Sequence, residues 1–276
     1  MKKKIDFLLI TCCFLAIQIT GLWAKDPSPE QLVAEHLKSV GESSALSQVR
    51  SISFIGTSEV NFILPIVGQL SGPARLVSEG PQIGIIMEFG AYNYRAEHFA
   101  YDGKSVTVGN IQPGLKSPLG EFIFTYKKII KNGMLGGVLS RAWPLFDLKN
   151  NKPRSMKVRT TKVDGIEMYE LEYRPREDHG DMKIRMYFDP KTYRHMRTEY
   201  KTSNNNVDGS FYYNILIEKF DDFRQVGLLT LPRSYTLSYT VEGTQRGAFI
   251  GNWKIEAKGI VLDASDIDTK DFRAEQ

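Results

Sequence analysis

Apolar and polar residues alternate along most of this chain at the two-residue spacing of β-strands. The stretch SYTLSYTV at 234–241 is the clearest case. Asp-Gly pairs at 102–103 and 164–165 interrupt the alternation, and this dipeptide favours the tight turn of a β-hairpin. The pattern predicts about ten strands, mostly antiparallel and joined by short turns.

Two segments instead show the spacing of amphipathic helices. Ser-Pro pairs at 28–29 and 117–118 each provide an N-cap residue followed by proline at the first helical position. Apolar residues then recur every three to four positions over 31–40 and 119–130. We predict one helix at each place, the second inserted between strands midway along the chain.

The alternation implies that each strand has one face in water and one face buried. A sheet of about ten strands must curl, and its apolar face needs a cover. The predicted fold is therefore mainly β with some α (α+β): a curled antiparallel half-barrel covered by two or more helices. No internal repeat or linker divides the chain, so we expect residues 25–276 to form a single domain.

Two helices are a small cover for so many strands, which raises the hypothesis of an incompletely filled interior. Aromatic and methionine side chains are suited to lining an apolar pocket, although the same residues could simply fill a core. The residues predicted to line the cavity are Phe54, Val60, Ile85, Met87, Phe89, Phe122, Ile123, Tyr126, Ile130, Leu171, Met186, Tyr235, Leu237, Tyr239 and Trp253. Gly133, Gly136 and Gly137 follow the second helix and are the candidate hinges of a movable lid.

The N-terminus has the pattern of a secretory signal. Three lysines at 2–4 precede an apolar stretch over 7–22, and Ala24 marks the expected cleavage site. Both cysteines, Cys12 and Cys13, lie within this segment. Removal of residues 1–24 would therefore leave a chain without disulfides, a cysteine nucleophile or a cysteine-ligated zinc.

Charge and motifs exclude several classes of function. The 36 basic and 32 acidic residues leave a net charge of only +4 among 276 residues, which gives little reason to expect nucleic acid. The sequence contains no G-x-S-x-G, H-E-x-x-H, P-loop or G-x-G-x-x-G motif. We accordingly expect no enzymatic activity, no cofactor and no resident metal.

Three polar clusters admit two interpretations each. Residues 177–181 (Glu177, Asp178, His179 and Asp181) could bind a divalent cation, but a solvated turn is the preferred interpretation; the same holds for the four aspartates of 263–271. Lys127, Lys128 and Lys131 could contact an anionic membrane transiently, or could form the solvent-exposed side of a lid helix.

His195 lies between Arg194 and Arg197 and is predicted to be on the surface.

Four stretches carry a family resemblance. They are EQLVAEHLKSVG and ALSQVRSISFIGT near the N-terminus, followed by YFDPKTYRHMRTEY and DDFRQVGLLTLPRSYTL. In this order the chain resembles the periplasmic lipoprotein-sorting superfamily (LolA/LolB-like carriers and receptors) over most of residues 28–272. It departs from the usual carrier in its greater length and its enlarged insertion near 109–155. Arg50 and Arg75 are only loose candidates for the polar latch of that family's lid.

The resemblance implies a half-barrel that holds acyl chains between sheet and lid, in the periplasm. The leading hypothesis is therefore a non-enzymatic carrier of lipid or lipoprotein acyl chains, active in outer-membrane lipoprotein sorting or envelope lipid transport. The alternative is an envelope sensor or assembly module on the same fold, with a protein partner and a filled core.

Overall fold

The computed structural model describes residues 26–65, 67–177, 179–205, 211–243 and 248–275. The predicted signal segment 1–24, with Cys12 and Cys13, lies outside the described residues. The strands are β1 (Ser51–Leu64), β2 (Gly68–Glu79), β3 (Gln82–Ala91), β4 (Tyr94–Tyr101), β5 (Val106–Val108), β6 (Ser155–Val163), β7 (Ile166–Arg174), β8 (Lys183–Phe188), β9 (His195–Asn205), β10 (Phe211–Val226), β11 (Leu229–Gly243) and β12 (Phe249–Leu262). The helices are α1 (Pro29–Val40), α2 (Ser43–Gln48), α3 (Pro118–Thr125), α4 (Lys128–Lys131) and α5 (Leu148–Asn151), with 3-10 turns at Gly137–Leu139, Pro144–Asp147 and Thr269–Phe272.

Within the described residues, all twelve strands form one antiparallel sheet in the order β5-β4-β3-β2-β1-β12-β11-β10-β9-β8-β7-β6. The sheet is open, with β5 and β6 as its two edges. This confirms the predicted fold class, an open antiparallel sheet with few helices. The assignment of 25–276 to a single domain stays a prediction.

Strand β2 is one that the sequence pattern failed to predict. It pairs with β1 from Ser51 opposite Glu79 to Phe62 opposite Gly68, but Gly68, Gly72 and Pro73 hide its alternation. Gly72 is required for close packing, since a Cβ there would lie 1.8 Å from the carbonyl oxygen of Glu88. The strand is therefore built around residues that propensity alone assigns to loops.

The connection between β5 and β6 covers one face of the sheet. Because these strands are the opposite edges, residues 109–154 have to cross the full width of the sheet. This connector carries α3, α4 and α5. Together with α1 and α2 it encloses the main hydrophobic core against what we call the inner face.

The predicted helix over 119–130 is wrong in its extent, because the structure divides it into α3 and α4. Tyr126 leaves helical geometry at φ −102° and ψ 38°, and its ring packs on Phe122 at a centroid distance of 4.9 Å. The break lets Ile129 and Ile130 both be fully buried. Lys127, Lys128 and Lys131 remain exposed.

The outer face is covered in part by the C-terminal residues. Phe272 is buried there, and a Cβ on Gly84 of β3 would lie 1.9 Å from the carbonyl oxygen of Asp271. Arg75 of β2 holds this segment through Asp266 and Asp271, each at 3.4 Å. Arg75 therefore binds the C-terminal segment, which corrects its suggested role as a lid latch.

No helix in the described part of the chain combines the length and the apolar character needed to cross a membrane.

Candidate functional site

An apolar pocket of about 480 Å³ lies at one end of the sheet, where β1 turns into β2 and where β4 and β12 begin. Its volume falls within the range of about 300–1,000 Å³ that is common for ligand sites. We call it the end pocket. Its lining residues are Phe62, Leu64, Pro65, Gly68, Gln69, Leu70, Asn93, Tyr94, Ile111, Pro118 and Phe249.

The register of the strands explains why these residues meet. Phe62 pairs with Gly68 across the β1–β2 hairpin, and Leu64 pairs with Ile250 on β12. Paired residues point to the same face of a sheet, so Gly68 lies on the same side as the Phe62 ring. No heavy atom lies within 4 Å of a Cβ built on Gly68, which means that this glycine leaves space open in the pocket wall.

Aromatic rings form the floor of the end pocket. The Phe62 ring lies 5.0 Å from Tyr94 and 5.9 Å from Trp253 between centroids. A chain of further ring contacts runs inward from Phe249 to Tyr239 at 5.9 Å, and from Tyr239 to Phe122 at 5.1 Å. The ring contacts therefore run without interruption from Phe249 in the pocket wall to Phe122 in the aromatic core.

A buried carboxyl group lies behind this floor. The Tyr94 hydroxyl donates to Glu97, and the Trp253 indole donates to the Tyr94 oxygen at 3.0 Å. Burial raises the pKa of Glu97 to about 7, while the nearby Ser117 and Tyr94 hydroxyls act in the opposite direction. Oε2 of Glu97 has no hydrogen-bond partner among the described residues.

The remainder of the inner face is closed by residues 132–148 and α1. His36 of α1 and His195 of β9 are both 1% exposed, and each ring lies about 5 Å from Trp143, at 5.2 and 5.0 Å. His36 Nδ1 donates to the Tyr193 carbonyl at 2.8 Å, and His195 Nε2 faces the Arg197 carbonyl at 3.0 Å. The prediction that His195 is on the surface is therefore wrong.

Burial keeps both imidazoles neutral. It lowers the pKa of His36 to about 4. It also lowers the pKa of His195 well below the usual value, with a smaller contribution from His36. These rings act as apolar filling between the cover and the sheet.

A second buried carboxyl group ties the cover to the sheet. Glu218 of β10 accepts from the Gly136 backbone at 2.7 Å, and from the hydroxyls of Tyr200 at 2.7 Å and Tyr235 at 2.6 Å. The Tyr200 hydroxyl also lies 2.9 Å from the Met134 carbonyl. Burial raises the pKa of Glu218 to about 7.

All fifteen residues predicted to line a cavity belong to the core or, for Tyr126, pack against it. Five of them, Phe89, Phe122, Tyr126, Tyr239 and Trp253, belong to the ring contacts behind the end pocket. The other ten are buried: Phe54, Val60, Ile85, Met87, Ile123, Ile130, Leu171, Met186, Tyr235 and Leu237. Their contact with a ligand stays a prediction, since the residues around the end pocket are different ones.

The candidate hinge glycines lie within the cover. All three have positive φ, at 66° for Gly133, 86° for Gly136 and 50° for Gly137. A Cβ on Gly133 would lie 2.1 Å from the Ala142 carbonyl oxygen, and one on Gly137 would lie 2.9 Å from the Phe220 ring. Packing thus accounts for two of these glycines, and a hinge role stays a prediction.

The acidic clusters have structural partners. Asp181 accepts from the Ser203 backbone and hydroxyl at 3.0 Å, and Asp263 accepts from the Arg50 backbone at 2.7 Å. Asp268 caps the 3-10 turn Thr269–Phe272. Asp178 lies outside the described residues; within them, no three His, Cys, Asp or Glu side chains converge as a metal site.

Another depression, of about 980 Å³, lies beside the C-terminal residues. Charged and polar side chains form it, among them Asp102, Lys270, Arg273 and Glu275. Such a lining does not suit an acyl chain, because an apolar chain would leave these groups without solvent or partners.

No protein-family model matches the sequence, and no curated protein matches it either. Among solved structures, a LolA superfamily protein from Nitrosomonas europaea is similar at a TM-score of 0.43 and 12% identity, covering 89% of this chain and 97% of the other. MucB, solved in complex with MucA(peri), is similar at a TM-score of 0.19 and 10% identity, covering 84% of this chain and 100% of the other. At these scores the two likenesses say nothing about what this chain binds.

Proposed function

We propose that this protein is a non-enzymatic binding protein that holds an acyl chain of a lipid or lipoprotein in the end pocket. The observation that carries the proposal is the pocket itself: about 480 Å³, walled by Phe62, Leu64, Leu70, Ile111 and Phe249. Only three of its lining residues, Gln69, Asn93 and Tyr94, have polar side chains, and the Tyr94 hydroxyl is bonded to Glu97 and Trp253. An apolar wall with a few polar groups is typical of sites for largely apolar ligands.

Burial of apolar surface would drive uptake. Each methylene removed from water contributes about 0.8 kcal/mol, so about ten methylenes contribute about 8 kcal/mol before the cost of association. No catalytic residue is needed for this function. Delivery in the cell would follow from export of the chain to the periplasm, which the lysines and apolar residues of 1–24 support.

The experiment is a titration of the delipidated protein with a fluorescent fatty acid. Gly68→Phe places a ring in the open space of the pocket wall, and we expect at least about tenfold weaker binding. Gly259→Phe is the matched control, because Gly259 also has no heavy atom within 4 Å of its Cβ. It pairs with the exposed Ile55 on the other face.

The proposal is supported if the protein binds the fatty acid saturably, if Gly68→Phe weakens that binding, and if Gly259→Phe leaves it unchanged. Binding that is absent, or that both variants weaken equally, contradicts it. Urea unfolding of the two variants shows whether a lost signal comes from a lost fold.

One observation favours a second candidate, a non-enzymatic interaction module of the envelope. The inner face under residues 132–148 is filled by Trp143, His36, His195 and Phe220, as a module without cargo would require. Mass spectrometry of what co-purifies from the native envelope separates the two: lipid favours the carrier, and a stoichiometric protein without lipid favours the module.

A further inference from the structure

Large apolar side chains are exposed on the chain segments that line the end pocket or adjoin its lining residues. Twelve large apolar side chains are exposed among the described residues. Six of them lie in or near the segments that line the pocket: Ile63, Leu64, Val67, Tyr92, Leu115 and Phe124. We call them the apolar rim. Val67 and Tyr92 are 82% and 89% exposed, although hairpin tips and turns usually carry polar residues.

The first part of the connector, which carries Leu115 and Phe124 of the apolar rim, is basic. Between Ile111 and Lys131 the chain has four lysines against the single carboxylate of Glu121. The ammonium group of Lys116 lies 4.9 Å from the centre of the Phe124 ring. Lys127 and Lys131 are exposed on the same connector.

Aromatic and aliphatic side chains next to lysines match the chemistry of an anionic bilayer surface. Rings and branched side chains enter the boundary between headgroups and acyl chains, and lysines are attracted to anionic headgroups. A soluble protein seldom keeps such a concentration of exposed apolar residues without a partner.

We propose that the apolar rim docks on an anionic lipid surface, so that the mouth of the end pocket faces the membrane. Lys116, whose ammonium group lies against the Phe124 ring, and Lys127 then flank the contact while the rim itself enters the lipid. The contact uses residues outside the pocket wall except Leu64. It therefore goes beyond the binding of an acyl chain and does not depend on it.

The test is co-flotation of the purified protein with vesicles of phosphatidylethanolamine and phosphatidylglycerol, compared with vesicles of phosphatidylcholine alone. We expect binding to the anionic vesicles that weakens as salt is raised. Val67→Glu introduces a carboxylate into the rim, and we expect about tenfold weaker binding. Every variant keeps the same N-terminal residues, so differences between variants report the substituted position.

Leu228→Glu is the matched control. Leu228 is 63% exposed, but it lies between β10 and β11, at the opposite end of the sheet. We expect its vesicle binding to equal that of the unmodified protein. Gly68→Phe keeps every residue of the apolar rim and should retain binding to the anionic vesicles, so a failure of acyl binding and a failure of docking give different results.

Three results would overturn the docking proposal. The first is equal binding to both kinds of vesicle, and the second is an equal effect of Val67→Glu and Leu228→Glu. The third is self-association in sedimentation experiments that Val67→Glu abolishes while vesicle binding is absent, which would assign the rim to a second copy of the chain.

Discussion

Two regions of the inner face use the same kinds of side chain with opposite results. Under residues 132–148, Trp143, His36 and Phe220 fill the space between cover and sheet. At the end pocket, Phe62 and Phe249 face a cavity of about 480 Å³. The difference lies in the connector, which closes the first region and contributes only Ile111 and Pro118 to the second. Coverage, rather than the composition of the strands, decides where this fold keeps a pocket.

Glu97 and Glu218, the two fully buried carboxyl groups of the described residues, repeat this contrast. Glu218, in the covered region, accepts three hydrogen bonds, one of them from Gly136 of the cover. Glu97, behind the pocket, has one oxygen without a partner among the described residues. A carboxyl group whose two oxygens both accept hydrogen bonds joins the cover to the sheet. A carboxyl group with one unbonded oxygen contributes less to the stability of the fold.

The largest expected effect separates the two regions by stability. Trp143→Ala removes a ring that is 1% exposed and that contacts both histidines, so we expect a loss of about 3–5 kcal/mol in the free energy of unfolding. Phe249→Ala removes a half-buried ring beside the pocket and should cost about 1–2 kcal/mol. Urea denaturation measures both. Equal losses would mean that the two regions are packed alike.

A smaller effect sharpens the comparison of the carboxyl groups. In Glu218→Gln the amide NH2 cannot accept, so the Tyr200 hydroxyl keeps only the Met134 carbonyl as its acceptor, and we expect a loss of about 1 kcal/mol. In Glu97→Gln the NH2 can take the position that already lacks a partner, and we expect a loss below about 1 kcal/mol. Urea denaturation at pH 6 provides the measurement. A larger loss of stability for Glu97→Gln than for Glu218→Gln would mean that Glu97, and not Glu218, has the stronger hydrogen-bond network.

The smallest effect is on the pH dependence of stability. Burial raises the pKa of Glu97 and Glu218 from 4.5 to about 7, so the native state holds these protons more tightly than the unfolded state. Their contribution is complete below about pH 4.5 and is lost as the pH rises through about 7. His36, with its pKa lowered from 6.5 to about 4, acts in the opposite sense: its contribution is lost as the pH falls from about 6.5 through 4.

In mild acid, His36 and the two carboxyl groups therefore change the free energy of unfolding in opposite directions. Above about pH 6.5, only the two carboxyl groups still change it. We expect the free energy of unfolding to fall between about pH 6.5 and 8. In the double variant Glu97→Gln, Glu218→Gln this decline should disappear. A decline that persists in the double variant would have to come from other groups.

Much of the sheet was predictable because its signals are local. The Asp-Gly turns at 102–103 and 164–165 lie between strands as expected, and alternation assigned Phe54, Leu237 and Trp253 to the apolar face of their strands, where the structure buries them. The position of the pocket was not predictable. It depends on where a long connector leaves the sheet uncovered, and on Leu70 of a strand whose alternation is hidden by glycine and proline.

The prediction for His195 was wrong because an irregularity in strand β9 interrupts the alternation of inward and outward side chains. On β9, Thr198, Tyr200 and Thr202 are buried, so strict alternation would turn Met196 inward and His195 outward. The pairing shifts instead: Arg197 pairs with Tyr187, and His195 pairs with Phe188. This bulge at Met196 reverses the alternation and brings the histidine into the core.

Photo-crosslinking tests the central claim, that the end pocket holds an acyl chain, most directly. A palmitic acid analogue with a diazirine at its terminal carbon should label peptides that contain residues 62–70, 111–118 or 249, and excess palmitate should suppress the labelling. Gly68→Phe should lose the labelling, and Gly259→Phe should retain it. Labelling that palmitate does not suppress, or that falls on the polar depression near residues 269–275, would contradict the account.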